Sequence, residues 1–203
     1  MSIILLDIGN VIVSVDFEPF CRAASRDGTT GPGRIRNRYC DSALKDRLDR
    51  GMVAPGEFLG MLAEDPETVD MPLPFFRNAW QRIFTPVPGS EEGIASLREH
   101  HEIWIMSDTD PLHFAYLIDA YPVMRGHDRY FLSYEHGLLK RDAEAFLHVL
   151  GNSVHDPGQF ILVDDRSVNI ESCRRVGMEG ILFSNWSEVL DSPGLSVGSR
   201  GRS

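Results

Sequence analysis

Short aliphatic runs alternate with amphipathic segments along most of the chain. Three or four consecutive apolar residues, bounded by polar or turn residues, predict strands at 3–6, 103–106, 160–163 and 181–183. The first of these is expected to be buried on both faces. Residues 130–132 are a weaker strand candidate. Helical spacing of apolar positions is present in the segments 90–100, 111–120, 142–151 and 168–176. Strands that alternate with helices are typical of a parallel sheet in a layered α/β domain.

Residues 17–85 break this rhythm and contain no convincing strand. Apolar spacing, glycines and prolines predict helices near 17–26, 34–50, 55–64 and 72–84. The predicted organisation is therefore an α/β core formed by residues 1–15 and 86–190, with an all-helical insert at 16–85 that follows the first strand. The last residues, 191–203, are polar and rich in glycine and serine, and a disordered tail is expected there.

Composition narrows the class of function. The 203 residues carry a net charge of −10, whereas nucleic-acid binding needs clustered Lys and Arg, so no nucleic-acid partner is expected. No apolar run approaches the ~18 residues of a membrane span, and the N-terminus does not have the pattern of a signal peptide. Three widely separated cysteines fit a reducing compartment, and a cytoplasmic location is expected.

Polar side chains follow three of the predicted strands at the point where each strand ends. Asp7 follows the first, Ser107 the second and the acidic pair 164–165 the third, while Lys140 precedes a predicted helix. Ligands of open α/β sheets bind at the carboxyl ends of the strands. Carboxylates gathered there would repel each other unless a cation lay between them, and oxygen ligands of this kind suit Mg²⁺.

This set of groups suits phosphoryl transfer. Asp7 could attack phosphorus and form an aspartyl-phosphate, while a cation and Lys140 neutralise the phosphoryl oxygens. The Ser107 hydroxyl and the amides that open a helix near residue 109 could hold the same oxygens. Taken alone, Asp7 and Ser107 could be turn or helix caps and Lys140 a solvated surface residue; their shared position after strands favours a site.

Asp7, Ser107, Lys140 and the pair 164–165 resemble motifs one to four of the haloacid dehalogenase-like (HAD) hydrolases, in order and in separation. Segments 7–13 and 163–172 are similar to a branch that includes a bacterial α-glucose-1-phosphate phosphatase and the phosphatase domain of soluble epoxide hydrolase. The resemblance covers residues 3 to about 185. It implies a Rossmann-like parallel-sheet core, a small helical cap inserted after the first strand, Mg²⁺ as cofactor and hydrolysis of a phosphate monoester.

The resemblance also implies a role for each matching residue. Asp7 would be the nucleophile and a metal ligand, and the carbonyl of Gly9 a second ligand. Asp165 is the first choice for the downstream metal ligand, with Asp164 and Asn169 as supporting or water-mediated contacts. The residues that would hold the phosphate are Ser107, Asp108 and Lys140.

Two positions depart from the general phosphatase pattern. Gly9 stands where that pattern has an Asp that protonates the leaving oxygen and activates water, a contribution of typically about 10²–10⁴-fold. The branch named above tolerates Gly, and Asp16, His113 or a metal-bound water are candidates to replace the acid. Asp108 stands where relatives often have Asn; a carboxylate beside phosphate is unfavourable, so its alternative role is to cap the next helix.

The segment 16–85 carries two further patterns. Its basic residues are interpreted as a solvated helix face, with attraction of an anionic substrate as the alternative: Arg34, Arg36, Arg38, Lys45, Arg47 and Arg50. Its aromatic residues are interpreted as packing inside the cap, with contact to the substrate as the alternative: Phe75, Phe76, Trp80 and Phe84.

The sequence therefore leaves three candidate functions. The first is a Mg²⁺-dependent phosphatase of a small phosphorylated metabolite, such as a sugar phosphate, that forms an aspartyl-phosphate on Asp7. The second, motivated by Gly9 and Asp108, is a HAD-fold protein that binds phosphate or a partner with little or no turnover. A 2-haloacid dehalogenase is a minor alternative, because such enzymes need no metal and an aromatic residue would be expected at position 9.

Overall fold

Seven strands occur in the part of the chain that the computed structural model describes, residues 2–195. They are β1 (Ile3–Leu6), β2 (Val13–Val15), β3 (Phe84–Pro86), β4 (Glu102–Ser107), β5 (Arg129–Leu132), β6 (Phe160–Asp164) and β7 (Glu179–Leu182). Five of them form one parallel sheet in the order β5-β4-β1-β6-β7. The predicted α/β class with a Rossmann-like parallel sheet is confirmed.

Eleven α-helices connect and cover these strands within the same residues. They are α1 (Glu18–Ala24), α2 (Gly31–Ile35), α3 (Ala43–Asp49), α4 (Pro55–Glu64), α5 (Leu73–Gln81), α6 (Ser90–Arg98), α7 (Pro111–Ala120), α8 (Ser133–His136), α9 (Ala143–Gly151), α10 (Ser167–Arg175) and α11 (Trp186–Leu190). Between residues 2 and 195, none of them has the length and hydropathy that crossing a bilayer requires.

Alternate residues of the central strands pack into two apolar layers. Ile4 and Leu6 of β1 join a cluster with side chains of α6, α7 and α11, whereas Ile3 and Leu5 join a second cluster with α9 and α10. All four residues of β1 are buried, as is expected of a parallel strand covered by helices on both faces. The carboxyl end of this rigid strand carries Asp7.

Helices α1–α5 form a separate unit, called the cap below, around an apolar cluster of their own. The rings of Phe20 and Phe58 each lie 4.8 Å from the ring of Trp80 at the centre of that cluster. Leu112 of α7 belongs to the same cluster, so the cap rests on a helix of the core. The chain enters and leaves the cap through β2 and β3, which pair antiparallel.

Two of the predicted helices differ from the structure. The helix predicted at 34–50 is divided into α2, a π-helical turn at Arg36–Cys40 and α3, because Ser42 is extended and its Oγ accepts the amide of Lys45 at 3.3 Å. The helix predicted at 72–84 ends at Gln81 and is followed by β3. Strands of three residues, such as β2 and β3, are too short to show an alternating pattern.

The C-terminal boundary also differs. Leu195 is buried against the sheet cluster, so the packed chain extends past 191, where the disordered tail was predicted to begin. The remainder of that predicted tail, 196–203, lies outside the described residues.

Candidate active site

A buried lysine joins two carboxylates at the carboxyl end of the sheet. The Lys140 ammonium lies 2.7 Å from Asp7 Oδ1 and 2.5 Å from Asp164 Oδ2, and the lysine side chain is 2% exposed. Asp7 follows β1 and Asp164 ends β6, and these neighbouring parallel strands bring the two side chains together. The amide of Ile8 also donates to Asp7 Oδ1, at 2.7 Å.

The protonation of this trio is set by burial and by the lysine. Burial raises the pKa of Asp7 to about 8, against the opposing effect of Lys140. Burial would also raise the pKa of Asp164, but Lys140 and hydrogen bonds from Arg166 and Asn169 outweigh it and hold that pKa below its ordinary value. Asp164 and Asp7 together hold the pKa of Lys140 above its ordinary value despite its burial. A cation beside Asp7 would favour its ionised form.

Asp165 completes a group of three carboxylates. One oxygen each of Asp7, Asp164 and Asp165 lies within 4.8 Å of the other two. Both oxygens of Asp164 already accept hydrogen bonds, from Lys140, from the Arg166 amide and from Asn169. Asp165 is only half-buried, and its Oδ2 accepts one hydrogen bond, of 2.8 Å, from the side chain of Asn10. Asp7 and Asp165 therefore have more lone pairs available to a ligand than Asp164 has.

The donor set fits a divalent cation with oxygen ligands. A space of about 190 Å³ adjoins the carboxylates and is lined by Asp7, Gly9, Asn10, Asp165 and Asn169, among others. The Oδ1 of Asn169 is buried and has no hydrogen-bond partner among the described residues. An unsatisfied buried acceptor costs about 1–3 kcal/mol. Water around a bound cation would supply the missing donor.

Ser107 and Asp108 lie at the end of β4, one strand away. Ser107 is buried and borders the neighbouring cavity, while Asp108 Oδ1 accepts the backbone amide of Lys140 at 3.0 Å. The expectation that Asp108 caps the next helix is wrong, because Asp110 Oδ1 caps α7. The Thr109 amide, expected to hold phosphate, donates instead to Ser133 Oγ at 2.9 Å.

A second, larger cavity of about 600 Å³ lies between the cap and the core. It shares Gly9, Val15, Asp108 and Arg166 with the space beside the carboxylates, so the two are adjacent. Its wall includes Phe84, which the sequence analysis placed in the packing of the cap. Phe76 and Trp80 are fully buried in the cap cluster, as that interpretation expected.

The two side chains considered as replacements for the missing acid are both engaged elsewhere. His113 donates from Nδ1 to Asp110 Oδ2 at 2.8 Å and from Nε2 to the carbonyl of Trp80 at 2.9 Å. Both ring nitrogens of His113 are therefore engaged with protein acceptors. Asp16 is exposed, and its Oδ1 accepts the amide of Glu18 at 2.9 Å.

Comparison with known proteins identifies similar sequences and similar structures. No family model matches the chain. A D-ribitol-5-phosphate phosphatase of Bacteroides thetaiotaomicron is 25% identical over 183 residues, which are 87% of this chain and 88% of that protein. A HAD family enzyme from the same bacterium superposes with a TM-score of 0.78 at 20% identity, over 94% of this chain and 98% of that one. The same enzyme has been solved with magnesium and inorganic phosphate.

The chain therefore has the fold of the HAD family enzymes. A predicted HAD-like family hydrolase from Porphyromonas gingivalis has a TM-score of 0.74 at 21% identity, over 94% of this chain and 96% of that one. An L-2-haloacid dehalogenase from Xanthobacter autotrophicus has a TM-score of 0.64 at 16% identity, over 89% of this chain and 76% of that one. The HAD-type fold that was expected from the sequence is therefore confirmed.

The sequence analysis missed two residues of the site and its adjoining cavity. Asn10 has a positive φ of 55°, which Asn tolerates better than most residues, and its side chain links the amide of Val15 to Asp165. The sequence feature that could have indicated this role is the position of Asn10 directly after Gly9, in the turn that follows β1. Lys45 was assigned to a solvated face, yet its side chain is only 12% exposed and is paired with Asp49.

Proposed function

We propose that this chain is a Mg²⁺-dependent phosphatase that hydrolyses the phosphate monoester of a small metabolite through an aspartyl-phosphate on Asp7. The observation that carries the proposal is the contact of buried Lys140 with Asp7 and Asp164, beside a third carboxylate within 4.8 Å. This arrangement leaves a nucleophilic carboxylate next to a fixed positive charge and to a cluster suited to a cation. The magnesium and phosphate bound by a structural relative support the choice of cofactor.

The first step forms a bond between an oxygen of Asp7 and phosphorus and breaks the bond from phosphorus to the leaving oxygen. Lys140 and the hydroxyl of Ser107 are placed to neutralise the charge on the phosphoryl oxygens. Magnesium, held by Asp7, Asp165 and the carbonyl of Gly9, supplies further charge neutralisation when it is bound. Water then attacks phosphorus, which releases inorganic phosphate and restores the carboxylate of Asp7.

Asp164 and Asp108 act through Lys140 in this scheme. Asp164 holds the lysine ammonium at 2.5 Å and is itself fixed by Asn169 and the amide of Arg166. Asp108 holds the backbone amide of Lys140 at 3.0 Å. The two carboxylates together keep the lysine directed at Asp7, so we assign Asp108 to the positioning of Lys140 rather than to direct contact with phosphate.

The size of the substrate is set by the cavity under the cap. Its volume of about 600 Å³ lies in the range of small-molecule sites, about 300–1,000 Å³, and it adjoins the proposed phosphate position. A metabolite-sized leaving group fits there, whereas a folded protein substrate would not pass under the cap. The relative that is named for D-ribitol 5-phosphate supports a small phosphorylated compound.

We place this activity in the cytoplasm. All three cysteines, Cys21, Cys40 and Cys173, are buried free thiols. Free thiols in this number support a reducing compartment, where phosphorylated metabolites also occur.

One observation favours a second candidate, a phosphate-binding HAD protein with little turnover. Position 9 carries no side chain, Asp16 lines neither cavity, and both ring nitrogens of His113 are hydrogen-bonded. Beryllofluoride with Mg²⁺ imitates an aspartyl-phosphate and would bind to either protein. Tight beryllofluoride binding without release of phosphate from a broad panel of esters would favour this second candidate.

The proposed function is tested by the hydrolysis of p-nitrophenyl phosphate with Mg²⁺ and with EDTA. Release of nitrophenol should require the metal, and Asp7→Asn should lower the rate by about 10³-fold or more, because the nucleophile of a covalent route is lost. Asp119→Asn is the matched control, since Asp119 is exposed on α7 and should leave the rate unchanged. Metal-independent release, or equal rates for Asp7→Asn and wild type, would refute the proposal.

A further inference from the structure

The wall of the larger cavity contains a buried ion pair that the reaction at Asp7 does not use. Lys45 and Asp49 lie one turn apart on α3, and Lys45 Nζ pairs with Asp49 Oδ1. Both residues line the cavity. The second oxygen of Asp49, Oδ2, has no hydrogen-bond partner among the described residues, although the residue is only 8% exposed. Burial raises the pKa of Asp49 to about 6 against the opposing effect of Lys45, as is expected of a carboxylate with few donors around it.

Residues of the core also hold Lys45 in place. Asp110 Oδ2 lies 3.6 Å from Lys45 Nζ and 2.8 Å from the ring of His113. The indole of Trp80 donates to the same oxygen at 3.3 Å and stacks on the His113 ring at 4.7 Å. Asp110 is completely buried and does not line the cavity. It therefore positions Lys45, while Lys45 and Asp49 face the space that a ligand would occupy.

Resting on the proposed function, we propose that Lys45 and Asp49 bind hydroxyl groups on the leaving group, and that they select monophosphates of polyhydroxylated carbon chains or sugars. An alcohol hydroxyl donates to the free Asp49 oxygen and accepts from the third proton of the Lys45 ammonium. Such charge-assisted hydrogen bonds are stronger than neutral ones. An alkyl chain of the same length would leave the Asp49 oxygen and the third ammonium proton of Lys45 without a hydrogen-bond partner.

The charge of the cluster argues against a second anionic group on the substrate. Lys45 lies beside both Asp49 and Asp110, so its positive charge is already compensated. The nearby guanidinium of Arg141 is paired with Asp46, and that pair lines the same cavity. The remaining arginine of the cavity, Arg166, also lines the smaller space at the phosphate end. A second phosphate or a carboxylate directed at α3 would therefore meet no unpaired cation and would face the unpaired oxygen of Asp49. Bisphosphates should therefore be poor substrates.

The position of the pair fits this role. The cavity that it lines also contains Gly9, Ser107 and Asp108 from the phosphate end of the site. A substrate with its phosphate beside Asp7 therefore has its carbon chain directed under the cap, toward α3. Helix α3 belongs to the cap, whereas the phosphate contacts belong to the core. The cap would therefore select the leaving group, and the core would carry out the reaction at phosphorus.

The test compares a pentitol 5-phosphate, pentyl phosphate and p-nitrophenyl phosphate as substrates of the wild-type enzyme with Mg²⁺. The pentitol ester should have a kcat/KM about 10–100-fold above that of pentyl phosphate, which has the same length without hydroxyl groups. Asp49→Asn should lower kcat/KM on the pentitol ester by about 10–100-fold, mainly through KM. The loss on p-nitrophenyl phosphate should be at least about tenfold smaller than this. Asp70→Asn, at an exposed site on the cap, is the control and should match wild type on every substrate.

Each result of these assays either supports or overturns one of the two proposals. Equal kcat/KM for pentitol and pentyl phosphate would overturn the inference without any variant, so a poorly folded Asp49→Asn would not leave it undecided. Equal losses on all three esters would assign Asp49 a structural role instead. Failure of the wild type to hydrolyse any ester, p-nitrophenyl phosphate included, would refute the proposed function. In that case binding of the pentitol ester and of inorganic phosphate, measured by calorimetry, still tests the pair: wild type should prefer the pentitol ester, and Asp49→Asn should lose that preference.

Discussion

Lys140 contributes to both the stability and the chemistry of the site. Its ammonium compensates two buried carboxylates, Asp7 at 2.7 Å and Asp164 at 2.5 Å. Breaking a buried ion pair by removing one partner is more damaging than replacing the whole pair, because an uncompensated charge is left in a medium of low polarity. The effect of Lys140 on stability can therefore be separated from its effect on catalysis by comparing a variant that lacks the lysine alone with one that also lacks a carboxylate partner.

Lys140→Met should lower the free energy of unfolding by about 3–5 kcal/mol in EDTA above pH 8, where Asp7 as well as Asp164 is ionised and both lose their counter-charge. Adding Asp164→Asn should recover much of that loss, since one buried charge is then removed. Neither variant should hydrolyse phosphate esters at the wild-type rate. Urea unfolding followed by circular dichroism, with parallel assays, checks both statements. A loss below about 1 kcal/mol for Lys140→Met would show that the lysine is not compensating buried charge.

At the scale of elements, the cap is joined to the loop that carries Lys140. Arg50, at the end of α3, donates to the carbonyl of Gly137 and to Asp142, each at 2.7 Å. Gly51 follows with a φ of +67°, and a Cβ at that position would overlap with the carbonyl oxygen of Tyr134. The cap therefore approaches the core closely at a residue that has no side chain.

Gly51→Ala should disturb this contact in two ways. A left-handed conformation costs a non-glycine residue about 1–2 kcal/mol, and the new methyl group would push the cap away from residue 134. We expect a loss of stability of about 2 kcal/mol or more and a lower kcat/KM, measured by thermal unfolding and by assay.

Gly60→Ala is the matched control for that substitution. Gly60 lies in the interior of α4 with open space around its Cα, so Ala should stabilise the helix by up to about 1 kcal/mol. Equal behaviour of the two alanine variants would contradict the assigned contact between cap and core.

At the scale of the whole molecule, the sheet and its acidic edge could be predicted because they depend on local patterns. The run at 3–6 is apolar throughout, as a doubly covered strand requires, and Asp7 follows it directly. Helix α7 occupies Pro111–Ala120, the predicted segment, because Asp110 and Pro111 provide a strong N-terminal signal. The positions of these elements placed the predicted catalytic residues at one edge of the sheet.

The surface between cap and core could not be predicted in the same way. Lys45 belongs to a run of basic residues that resembles a solvated helix face, and only the folding of α3 against α7 brings it to Asp110. The pairing of β2 with β3 joins residues about 70 positions apart, and three-residue strands carry no periodic signal. Contacts of this kind depend on the tertiary structure. The sequence therefore indicated the candidate catalytic residues but not the residues proposed to contact the leaving group.

The most direct measurement of the central claim is chemical trapping of the intermediate. The enzyme is mixed with substrate and Mg²⁺, quenched in acid and reduced with borohydride, which converts an aspartyl-phosphate to homoserine. Peptide mass spectrometry should locate homoserine at position 7, only in samples that contained both substrate and metal. Reduction at another residue, or steady turnover with Asp7 always unmodified, would contradict the account.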